Sequence, residues 1–165
     1  WFITFIFLVC SLAAAARNIH NRQYKFKLTI PDNLVVVRDS TTQLRDMYFD
    51  KGAQVVMIIS TLEHTGFKSV NDYLNCSQNQ LQQQLQNYYG DTTLSLISCI
   101  KPSFYSQKVV ALHFRVTGCN GYDSYLIYFI HHRHKEIQIA FTYKGQSERA
   151  SNEYIQDIIS TLKLK

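Results

Sequence analysis

Three histidines crowd one short segment, His131-His132-Arg133-His134, with His113 on a preceding one. Imidazoles at such spacing ligate Zn, Cu or Ni, the chemistry of an exported metal carrier. If the segment continues a strand, His132 and His134 share a face while His131 points the other way. No Asp, Glu or Cys in the segment completes a ligand set. Solvated turn histidines are the commoner outcome, so a metal site on His131, His132 and His134 stands as the alternative reading. No other cofactor is expected.

The second chemical candidate is thiol chemistry, since the chain carries Cys10, Cys76, Cys99 and Cys119. Cys99 or Cys119 with His113 and Asp123 makes a nucleophile set on paper, the basis of a third reading as a small hydrolase or thiol enzyme. No sequence signature that would lower a thiol pKa surrounds either cysteine. A Cys99–Cys119 bridge fails on distance if the segments form a simple hairpin, unless the strands pair differently. In a hairpin centred near Phe104, Cys99 faces a residue near Val109, which leaves Cys119 roughly 33 Å away at ~3.3 Å per residue. Whether any of Cys76, Cys99 and Cys119 pair stays open, and three small, partly buried thiols are an equal account. Asp46, Asp50 and Glu63 are too dispersed for an acid–base pair, although Glu63-His64 at a strand end could line a pocket. The sequence holds no phosphate loop, serine elbow or zincin motif.

The N-terminus speaks of compartment. Trp1 to Leu12 is almost wholly apolar and Ala13 to Ala16 is a small-residue run before Arg17. Ala14 and Ala16 fit the A-x-A rule of signal peptidase, and the run is shorter than the ~20 residues of a membrane span. Residues 1–16 therefore read as a signal peptide lacking its first residues, and 17–165 as a single domain, secreted or periplasmic. Lipidation at Cys10 is the alternative, though Val9 is bulky where bacterial lipoprotein signals take a small residue. With 11 tyrosines and 10 phenylalanines the chain has the makings of a large core. Its net charge of +5 is scattered rather than striped. Nucleic-acid binding, which needs a clustered basic footprint, is not expected.

Elements follow from periodicity. Tyr24 to Ile30 alternates as a strand, Pro31-Asp32-Asn33 turns, and Leu34 to Val37 makes a short second strand. Met47 to Asp50 and Gln54 to Leu62 flank Lys51-Gly52 as a hairpin whose second arm suits a central strand. Ser69 caps a long helix with Asp72 three positions on, and its apolar stripe runs Val70, Tyr73, Leu74, Leu81, Leu85 and Tyr88 before Gly90. The opposite, glutamine-rich face reads as solvated. Thr93 to Ile100, Lys108 to Thr117, Tyr122 to His131 and Glu136 to Tyr143 form an antiparallel meander. A helix from Ser147 to Leu164 closes the chain with Tyr154, Ile155, Ile158, Ile159 and Leu162 inward. The class is α+β: an antiparallel sheet with a long helix inserted mid-chain and a C-terminal helix packed on it. Tyr122 to Ile130 is apolar on both faces, so each must be covered by the fold's own helices or by a protein partner.

Tyr24-Lys25-Phe26-Lys27-Leu28-Thr29-Ile30-Pro31 resembles the F-x-x-x-x-P opening of the PsbP-like family. The Gly52 hairpin before an apolar strand is similar as well. So is the ending, where Ala140-Phe141-Thr142-Tyr143 leads into a helix with Tyr154, Ile155, Ile158 and Ile159. The family is named for an extrinsic subunit of photosystem II, and its fold is shared by a Ran-binding nuclear import factor and by DcrB-like bacterial exported proteins. The chain departs from the pattern at Asn33-Leu34, where such proteins often place Gly-Trp. The resemblance covers Tyr24 to Leu164 and implies a non-enzymatic binding or accessory protein of the cell envelope with an unidentified protein partner.

Overall fold

A computed structural model describes residues 15–22, 24–37, 45–62, 67, 69–89, 94–105, 108–117, 122–132, 135–144 and 148–165. Strands β1 (Ala16–Asn21), β2 (Phe26–Pro31), β3 (Val35–Val37), β4 (Arg45–Asp50) and β5 (Val55–Leu62) lead into helices α1 (Val70–Asn75) and α2 (Gln78–Tyr89). Then come β6 (Leu94–Ile100), β7 (Val109–Val116), β8 (Ser124–His132) and β9 (Lys135–Tyr143), followed by α3 (Glu148–Ser160) and the two-residue β10 (Lys163–Leu164). The seven-stranded sheet runs β3-β4-β5-β9-β8-β7-β6, every pair antiparallel. The class is α+β, and the β6-to-β9 meander and the interior place of β5 match the sequence reading. Among the described residues no helix is long and apolar enough to cross a membrane.

Strand alternation sorts the sheet into two cores. One face carries Val109, Ala111, Leu126, Tyr128, Ile130, Ile137, Ile139 and Phe141, and is covered by Ile155, Ile158 and Ile159 of α3 with Phe26, Leu28 and Ile30 of β2. The other carries Val110, Leu112, Phe114, Ile127, Phe129 and Ala140 beneath Val70 and Tyr73 of α1 and Leu81 and Leu85 of α2. Both apolar faces of β8 are thus covered within the fold. Ile127, Tyr128, Phe129 and Ile130 are all at 1 % exposure or below. Burying a side chain of this size is worth roughly 1.5–3 kcal/mol, so this double-sided layer is where the stability concentrates.

Four sequence expectations are corrected. The long helix is two helices. Cys76 leaves the helical region at φ −72°, ψ 142°, and Ser77 caps a fresh start: its hydroxyl accepts from the Gln80 N–H at 3.3 Å while Gln80 Oε1 accepts from the Ser77 N–H at 3.2 Å. Ser77-x-x-Gln80 is the Ser-x-x-Gln capping box, as Ser69 and Asp72 make one for α1. The gap in the stripe between Leu74 and Leu81 was its sign. Second, the closing helix ends at Ser160, and Lys163–Leu164 join β2 and β1 in a separate three-stranded sheet. Third, Cys99 pairs with Leu112 rather than a residue near Val109, because the connection is wider than a tight hairpin; farther along, Ile97 bulges out between Leu96 and Ser98.

Fourth, the glutamine face is not simply solvated. Gln78 and Gln86 donate through Nε2 to the carbonyls of Leu96 and Leu94 at 2.9 and 2.8 Å, and Gln82 Oε1 accepts from the Leu96 N–H at 3.2 Å. Spacing of four residues puts these three on one helical row, laid along the outer edge of β6. Side-chain amides carry both a donor and an acceptor, so they can substitute for a neighbouring strand. One end of the seven-stranded sheet is closed this way.

Candidate binding surface

The other end is β3, a three-valine strand whose side chains are exposed at 58, 45 and 42 % for Val35, Val36 and Val37. Three consecutive β-branched apolar residues at that exposure sit on an edge, where strand hydrogen-bonding capacity is available to a further chain. Among the described residues no side-chain row comparable to the α2 glutamines reaches β3.

The edge is held by what lies on either side of it. Val35, Val36 and Val37 pair with Phe49, Tyr48 and Met47 of β4. Leu34, just before the strand, is fully buried in the core formed with α3, and its carbonyl accepts from Arg17 Nη2 at 2.5 Å. Asn33 donates through Nδ2 to Asp50 Oδ2 at 2.6 Å. Asp50, the last residue of β4, is 1 % exposed. It also accepts from the Gly52 and Ala53 N–H groups at 2.8 and 3.0 Å and from the Tyr154 hydroxyl of α3 at 2.8 Å. One buried carboxylate therefore ties the turn before β3, the turn after β4 and the closing helix together. At Asn33-Leu34, Leu34 is buried in the core and the Asn33 amide reaches the carboxylate. Burial, with the Asp50 bond and charge second, drives the Tyr154 hydroxyl well above the usual phenol range, so it stays a donor. Tyr48, opposite Val36, is raised by burial first and by Asp46 second, while Arg17 pulls the other way.

Among the described residues, those proposed for chemistry do not converge. His131 and His132 face opposite sides of β8. His131 lies within 3.2 Å of Glu136 Oε2 and edge-on to the Tyr73 ring at 5.9 Å, on the α1 side. That approach to Glu136 is ion-pair proximity without hydrogen-bond geometry at Nε2. Burial holds the imidazole below its ordinary pKa, with the Asp72 charge opposing. His132 is 9 % exposed, its Nε2 at 2.8 Å from the Lys165 carbonyl. His134 lies outside the described residues, and among those described no three His, Cys, Asp or Glu side chains group as a metal set. Ala14, Cys10, Cys119 and the Glu63-His64 pair also fall outside. Ala16 is described: it opens β1, opposite Pro31.

The Cys99–His113 dyad is overturned by the pleat. Cys99 packs in the core under α1, whereas His113 stacks on Tyr143 in the layer under α3 with ring centroids 6.4 Å apart. There His113 Nε2 sits 3.3 Å from the Tyr143 hydroxyl, which donates to Asn152 Oδ1 at 3.0 Å, and Gln156 donates to the Tyr128 hydroxyl at 3.0 Å. Burial pushes Tyr128 up to about 12, the Gln156 bond opposing. This cluster fastens α3 to the sheet.

Cyanobacterial PsbP (CyanoP) from Synechocystis sp. PCC 6803 superposes with a TM-score of 0.68 at 12 % identity, over 92 % of this chain and 94 % of that one. The fold is PsbP-like. A protein of unknown function from Pseudomonas aeruginosa, PA94, shares it at a TM-score of 0.52 and 15 % identity, over 91 % of this chain and 97 % of the other. No family model and no curated protein matches the sequence. A PsbP-like fold carries many roles, so the site, not the fold, must supply the function.

Proposed function

We propose that this chain is an exported, non-enzymatic binding protein of the cell envelope that docks an extended segment of a protein partner along β3. The observation that carries the reading is the difference between the two edges of one sheet. β6 is occupied by the Gln78, Gln82 and Gln86 row, while β3 presents Val35, Val36 and Val37 to solvent. Added strands take affinity from main-chain hydrogen bonds and selectivity from pockets for alternate side chains. The similarity to a cyanobacterial PsbP and the N-terminal apolar run with Ala14 and Ala16 support the exported, accessory part of the reading. If the peptidase cuts after Ala16, Arg17 remains to hold the Leu34 carbonyl.

The test places a photo-crosslinking residue at position 36 and, as control, at Gln83, an exposed position on α2, in cells that secrete the protein. A discrete adduct from position 36 that is absent from position 83 and lost in Val35→Lys/Val37→Lys supports the reading. Equal adducts at both positions, or adducts that survive the lysines, would end it.

A further inference from the structure

Cys76 and Cys99 are half-buried and pack against the same inner core. Cys76 caps the C-terminus of α1. Cys99, in β6, places its Sγ 3.9 Å from the carbonyl oxygen of Tyr73. A helical carbonyl points along the axis toward the C-terminus, and at about 1.5 Å per residue Cys76 lies about 4.5 Å farther on. The Cys99 sulfur thus sits beneath the turn that carries Cys76. That turn has already left the helix, with Cys76 at φ −72°, ψ 142°, so its side chain is not committed to a helical direction.

We propose that Cys76 and Cys99 close an intramolecular disulfide when the chain meets a disulfide oxidant. A Cys76 thiolate attacks one sulfur of glutathione disulfide, forming a mixed disulfide and expelling one glutathione thiolate. Cys99 then attacks the Cys76 sulfur, making the S–S bond and releasing the second glutathione. The two protein thiols lose two electrons and two protons, and these reduce the oxidant to two glutathione thiols. Closure also needs Cα atoms about 4.4–6.8 Å apart. Burial, then the Cys76 thiol, pushes the Cys99 thiol up to about 11, so the closing step quickens with rising pH up to that value. The bridge encloses all of α2 and would pin its glutamine row against β6.

The full-length chain, reduced and then equilibrated in glutathione buffers of graded potential, is alkylated and peptide-mapped. The expected product is a Cys76–Cys99 linked peptide, formed also in Cys119→Ser and absent from Cys76→Ser and Cys99→Ser. The denaturation midpoint of the oxidised form should rise by about 5–10 °C. Cys119 appearing in the linked peptide, or Cys76 and Cys99 both remaining alkylatable or glutathionylated under oxidising conditions, overturns the proposal.

Discussion

Asp50→Ala removes one acceptor from four donors at once, and its cost can be worked through donor by donor. The N–H groups of Gly52 and Ala53 and the Asn33 amide lie in turns at the surface, where water replaces most of what is lost. The Tyr154 hydroxyl is half-buried beside α3, and hydrogen bonds to a charged group are worth about 1.5–3 kcal/mol. Adding about 0.5 kcal/mol for each of the three loosened turn contacts, the expected loss is about 3–4.5 kcal/mol. That is a large part of a typical ~5–15 kcal/mol domain stability and lowers Tm by about 10 °C. Asp50→Asn keeps an acceptor for the turn amides and should lose about half as much. Urea unfolding followed by far-ultraviolet circular dichroism measures both, with an unchanged m-value showing that the same unit unfolds. Because Tyr154 bonds the same shared carboxylate, Tyr154→Phe should be strongly non-additive with Asp50→Ala, coupling by at least about 1 kcal/mol. A purely additive double mutant, or a loss under about 1 kcal/mol for Asp50→Ala, refutes the shared-acceptor account.

A pH effect with a definite sign is expected at His131. Its folded pKa lies below the ordinary value because burial disfavours the cation, so its contribution is complete above about 6.5 and is lost as pH falls through that value toward the folded pKa. His131→Gln should flatten the fall of Tm as pH drops below about 6.5; an unchanged slope counts against the assignment. Gln82→Ala should uncover the β6 edge, costing about 1 kcal/mol and increasing self-association in light scattering, whereas Gln83→Ala should do neither. Ser77→Ala should cost about 1 kcal/mol by removing the cap of α2, measurable in the same urea titration; no loss would mean that α2 is started by packing alone.

Alternation along Tyr122 to Ile130 and the stripe of α3 made the two-sided core legible, because burial by period two or 3.6 is a local property of the chain. The break at Cys76 was legible in principle from Ser77-x-x-Gln80, which a continuous helical stripe obscured. β1 was hidden under the signal-peptide reading, since Ala16, which suits a peptidase, also begins a strand. β10 is only two residues long, too short to carry a period.

From its sequence alone the chain determined its class, the inward residues of most elements and the PsbP-like order of strands and helices. Three things waited for the tertiary structure. Asp50 gathers donors from Asn33 and Tyr154, separated from it by 17 and 104 positions. Gln78, Gln82 and Gln86 became an edge cover only once β6 lay beside them. Cys99 came to lie under α1 through a register that pairs it with Leu112 and puts His113, opposite Ser98, on the other face. The physical reason is common to all three: a side chain's neighbours along the chain decide which way it points, but only packing decides what it meets.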